Sequence, residues 1–192
     1  MSAGSTRRLA LPRPDTLLFR AENAVSALAD VGKNWTEDMD LSDLLSPESV
    51  VPALKVNSKK QALQDLAGRA ADLTGLSERD IFDTLLQRER LGSTGVGAGI
   101  AIPHGKLPTL DRLVGLFARL DRPIDFEALD DQPVDLVFLL LAPEGAGADH
   151  LKALSRIARV LRDGATVGKL RDTADAAALF ALLTQPQASN AA

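Results

Sequence analysis

Hydrophobic and polar positions along the chain follow two periods. Between Ser58 and Gly75, apolar Leu63, Leu66, Ala67, Ala70 and Leu73 recur every three to four positions, which predicts an amphipathic helix. Ser58 and Gln61 have capping-box spacing at its start. There the hydroxyl accepts from the third helical amide while the glutamine reaches back. Ser77 opens a second helix with Ile81, Phe82, Leu85 and Leu86 inward and Gly92 past its end. After a loop at Gly145–Asp149, the positions Leu151, Leu154, Ile157, Ala158 and Leu161 predict a third helical face. Thr173 is read as the cap of a last helix, with Ala177, Phe180 and Leu183 inward. Near the start, Leu17, Ala21, Ala24, Leu28 and Val31 also follow helical spacing between Asp15 and Gly32.

Other segments read as strands. Val50–Val56 carries Pro52, which points to an edge or a bend. Ile100–Ile102 is β-branched at both ends and closed by Pro103, and Val114–Leu120 follows. Val134–Leu141 is almost continuously apolar, as expected of a central strand covered on both faces. The connections between the last three strands are too short for crossover helices, so some pairs must be antiparallel. The predicted class is α/β: a mixed central β-sheet flanked by helices in a single domain over 39–184. Before it stands an N-terminal extension, 1–38, rich at first in Ser, Arg and Pro and expected to be partly disordered with a short helix. After it comes a loose polar tail over 185–192.

Composition narrows the function classes. A 192-residue chain with 45% hydrophobic residues can bury a substantial core. Its net charge of -4 gives no broad basic field, so no nucleic-acid partner is expected. Cysteine is absent and there are two histidines, which excludes disulfides and argues against a metal site. The longest apolar run, Val134–Ala142, is broken by Asp135 and falls short of the roughly 20 residues a membrane helix needs. The opening MSAGSTRRLALPRP has arginines without an apolar stretch behind them, unlike a secretory leader. A cytoplasmic protein with no direct membrane insertion is expected.

The segment Arg88-Glu-Arg-Leu-Gly-Ser-Thr-Gly-Val-Gly-Ala-Gly-Ile-Ala-Ile-Pro-His-Gly-Lys106 carries the candidate chemistry. It fails the P-loop pattern, because five residues separate Gly99 from Gly105 and Leu107 follows the lysine. It also fails the dinucleotide fingerprint, because Gly95, Gly97 and Gly99 are spaced by one and lead into a strand. What remains is His104 at a strand end, between Pro103 and Gly105, with Gly105 leaving room beside the ring. A neutral imidazole is a good nucleophile near pH 7. Arg88 and Arg90 offer forked charges suited to phosphate, Ser93 and Thr94 offer hydroxyls, and the glycines let amides approach an anion. Residue types alone leave His104 open between a phosphoryl acceptor and a hydrogen-bonded structural residue. Asp149 is read as a helix N-cap that puts His150 in the first turn, where an anion is favoured. On the residues alone, His150 reads as a surface residue at a helix start.

This wording closely resembles the active-site segment of the type-2 (fructose/mannitol) EIIA domains of the bacterial phosphotransferase system, over about residues 40–184. In that family the histidine of an Ile/Val-Pro-His-Gly segment is phosphorylated, so the resemblance implies phosphorylation at His104. It further implies that Arg88, in Gln-Arg-Glu-Arg-Leu-Gly-Ser-Thr, helps hold the phosphoryl group. Gly147-Ala-Asp-His-Leu-Lys152 matches the segment of a second active-site histidine, which gives His150 a supporting role. Ser93, Thr94 and Gly105 fall where phosphate-binding groups are expected. The run through Gly-Lys106, Gln132-Pro-Val-Asp-Leu136 and His150-Leu-Lys-Ala-Leu-Ser-Arg156 is most similar to the nitrogen-regulatory (Ntr) branch. That branch implies a donor that is an HPr-like phosphocarrier protein, charged from phosphoenolpyruvate by an Enzyme I-type protein, and regulatory target proteins. No cofactor is implied. Alternatives are a sugar-specific EIIA component feeding a membrane permease and a non-catalytic binding module. Typical members begin near Met39, so residues before it are a lineage extension or the true start is Met39.

Overall fold

A computed structural model describes residues 39–185; the helix read near residues 15–32 and the tail after Gln185 lie outside the described residues. Six strands form one sheet: β1 (Val50–Leu54), β2 (Gly95–Gly97), β3 (Ile100–Ala101), β4 (His104–Leu107), β5 (Val114–Ile124) and β6 (Val134–Pro143). Among the described residues, two short 3-10 turns (Leu41–Asp43 and Pro47–Ser49) and five α-helices complete it: α1 (Lys59–Thr74), α2 (Glu78–Arg90), α3 (Gly147–Arg162), α4 (Gly164–Asp172) and α5 (Ala176–Thr184). The strand order is β1-β5-β6-β3-β2, with β4 also on β6. β1/β5, β3/β6 and β4/β6 are parallel, while β5/β6 and β2/β3 are antiparallel, so the sheet is mixed.

β6 is apolar throughout because both its faces are covered. Val137, Leu139 and Leu141 join a core with Leu63, Leu66 and Ala67 of α1 and Ile81 and Leu85 of α2. Leu136, Phe138 and Leu140 join the opposite core with Ile157 of α3, Leu170 of α4 and Leu179 of α5. Pro52 sits on edge strand β1, where its missing N–H breaks no ladder.

Several local readings are corrected. Ser58 accepts from the Gln61 amide, but Gln61 reaches the Asn57 amide instead of the cap residue's own. Pro103 does not end the strand run: Ile100 pairs with Leu136 and His104 with Leu140, the same offset, so β4 continues where β3 pauses. His104 therefore begins a strand. α3 starts at Gly147, with Ala146 as an N-cap that makes no side-chain hydrogen bond, and Asp149 lies inside the first turn. Leu151 is 65% exposed, and the inward face is His150, Ala153, Ile157, Val160 and Leu161. α4 has no counterpart in the periodicity reading, because Gly164 and Gly168 dilute its pattern. Asp175, not Thr173, caps α5, whose buried residues are Leu179 and Leu183.

Candidate functional site

Three elements meet at His104. α2 delivers Arg88 in its last turn, β4 presents His104 as its first residue, and α3 brings His150 in its first turns. Arg88 Nε donates to His104 Nε2 at 2.9 Å, and Arg88 Nη1 donates to the Gly92 carbonyl at 3.0 Å. His104 Nδ1 stands 2.8 Å from the Ile102 carbonyl. A carbonyl only accepts and a guanidinium only donates, so Nδ1 carries the proton and Nε2 the lone pair. The neighbours thus fix one tautomer. The His104 and His150 rings lie 5.6 Å apart, tilted by 53°.

Burial pushes the His104 ring below its ordinary pKa of 6.5, and the Arg88 charge adds to this. The Ile102 hydrogen bond and the Glu89 carboxylate oppose it. Burial also lowers His150, helped by His104 and Lys106. His150 is buried, and its Nε2 has no hydrogen-bond partner. It is therefore not the surface residue its helix position allowed. A neutral nucleophile, a guanidinium, an unsatisfied imidazole nitrogen and an uncapped helix N-terminus converge here.

The loop after α2 is built differently from the sequence expectation. Ser93 Oγ donates to the Phe126 carbonyl at 2.7 Å and accepts from the Gly95 amide at 3.1 Å. Thr94 is buried; its amide lies 3.1 Å from both Glu89 oxygens and its hydroxyl donates to one of them at 2.7 Å. Each hydroxyl's single proton is engaged, Ser93's by the Phe126 carbonyl and Thr94's by Glu89, so neither is a free phosphate donor in this arrangement. Gly105 leaves room for α2: a Cβ there would lie 2.6 Å from Thr84 Cγ2. Gly97, Ala98 and Gly99 all have positive φ and turn the β2/β3 hairpin, and the Ala98 amide is held by Asp130 at 2.8 Å. Those glycines make a hairpin, not an anion cradle.

Sequence reasoning passed over Glu89. It is buried, receives Thr94, and pairs with Lys59 at 3.2 Å, while Lys59 also meets Glu127 at 2.7 Å. Successive residues of α2 point to different tasks: Arg88 to the histidine, Glu89 to the loop beneath it. An acidic residue in a helix's last turn, where the macrodipole disfavours it, was the available signal.

The model of the family described as phosphoenolpyruvate-dependent sugar phosphotransferase system, EIIA 2, matches residues 43–185. The chain belongs to that family. The nitrogen regulatory protein of Bradyrhizobium diazoefficiens is 67% identical over 153 residues, spanning 80% of this chain and 100% of that protein. The nitrogen regulatory protein of Escherichia coli K12 is 41% identical over 151 residues, 78% of this chain and 92% of the relative. The crystal structure of nitrogen regulatory protein IIA-Ntr from Neisseria meningitidis superposes with a TM-score of 0.72 at 35% identity, covering 75% of this chain and 99% of that one. Escherichia coli IIA mannitol, at 23% identity and a TM-score of 0.61 over 72% of this chain and 98% of its own, shares the fold. This EIIA domain thus stands with the nitrogen-regulatory branch. None of its described helices is long and apolar enough to cross a membrane.

Proposed function

We propose that this EIIA domain is a regulatory phosphocarrier that accepts a phosphoryl group on Nε2 of His104 from a phosphohistidine of an HPr-like protein. The observation that carries the reading is the Arg88–His104–Ile102 chain, which leaves Nε2 neutral, nucleophilic and beside a fixed positive charge. In the transfer, the Nε2 lone pair forms the new N–P bond as the donor's N–P bond breaks, and the donor ring keeps the released electron pair. Nδ1 retains its proton on the Ile102 carbonyl, which stabilises the positive ring that forms. Arg88 leaves Nε2 for the phosphoryl oxygens. His150 and the α3 amides face the added charge, so the remaining work is positioning and charge neutralisation.

Ser93, Thr94 and Gly105 contribute by shaping the pocket. Phosphorylation adds negative charge at the junction of α2, β4 and α3, a change that target proteins can read. The reading is tested with Enzyme I, the HPr-like carrier and phosphoenolpyruvate at a cytoplasmic pH. The wild type is expected to acquire acid-labile, alkali-stable phosphate and His104→Ala none. Equal labelling of His104→Ala overturns the assignment.

A further inference from the structure

A cavity of about 360 Å³ lies between the β2/β3 hairpin and helices α3 and α4. That is within the roughly 300–1,000 Å³ of small-molecule sites. Ile100, Ile102 and Val167 give it apolar walls, and Arg162 and Arg171 stand in its lining. Gly168 keeps it open. This residue is interior to α4, where glycine costs about 1 kcal/mol against alanine. Its φ is not positive and nothing lies within 4 Å of where a Cβ would be, so neither backbone nor packing requires it.

The two guanidiniums differ. Arg171 is already compensated, with Nε and Nη2 on Asp135 at 2.7 and 2.8 Å and Nη2 also on the Ala98 carbonyl at 2.7 Å. Arg162 is exposed and makes no hydrogen bond or ion pair among the described residues. An apolar chamber with one uncompensated monovalent cation suits an apolar body with a single negative charge; a dianion would lose more hydration than one guanidinium returns.

We infer that this cavity binds a small amphipathic carboxylate, its hydrocarbon against Ile100, Ile102 and Val167 and its carboxylate on Arg162. The test is a titration of octanoate into the ¹⁵N-labelled full chain. Saturable shifts of the Ile100, Ile102, Val167 and Gly168 amides are expected. Octanol, with the same chain and no charge, binds more weakly. Arg162→Gln, at an exposed position, weakens octanoate binding roughly tenfold, and Gly168→Leu, which fills the chamber, removes it. Absence of saturable shifts, or affinity unchanged in Arg162→Gln, overturns the proposal. Because no phosphoryl transfer is measured, such a failure leaves the role of His104 untouched.

Discussion

At the residue scale, the site is a question of which nitrogen holds a proton. The Ile102 carbonyl takes the Nδ1 proton and Arg88 faces Nε2. Burial, reinforced by Arg88, keeps the ring's pKa below 6.5. Phosphoryl acceptance is therefore expected to stay level above pH 6.5 and to decline only at more acidic values, as Nε2 becomes protonated. Replacing Arg88 by Gln removes one of the groups opposing protonation, so the His104 titration moves upward, visible in the NMR shift of its Cε1 proton. Arg88→Lys keeps the charge but loses the planar fork. Single-turnover transfer from the phosphorylated HPr-like carrier should slow by roughly ten- to a hundredfold.

At the element scale, the site depends on how closely α2 lies against β4. Gly105 permits that approach. A Gly105→Ala Cβ would meet Thr84 Cγ2, and such overpacking costs about 1–3 kcal/mol. Urea denaturation should show this loss. Adding Thr84→Ser, which deletes the obstructing methyl, should restore most of it. The loop after α2 has its own anchor in Glu89. Glu89→Ala leaves the Thr94 amide and hydroxyl and the Lys59 ammonium without their buried partner, a loss of about 3 kcal/mol in the same measurement.

At the scale of the whole molecule, one sheet separates two cores, and the paired imidazoles couple stability to pH. Both rings have folded pKa values below 6.5. Well above that pH both are neutral in either state and contribute no pH dependence. Below it the unfolded chain binds protons that the folded chain does not, so stability falls with pH until the folded rings titrate. A double His104→Gln/His150→Gln variant should lose that decline just under pH 6.5 in thermal melts. The segment order and the covered central strand were legible in the sequence because burial on two faces imprints a continuous apolar run on β6. The phosphotransferase wording around His104 was legible too, because Arg88 and His104 lie in one short segment. The ends of α3, the existence of α4 and the tasks of Ser93, Thr94 and Glu89 were not, since each depends on a partner distant in the chain: Phe126 for Ser93, Lys59 for Glu89, and the sheet face for α4. Local pattern determined most of the helices, the central strand and the reactive segment; only the packing of α2 and α3 around β4 decided which atoms face one another. Hydrogen bonds and burial are made between surfaces, and a linear order of residues does not record those surfaces.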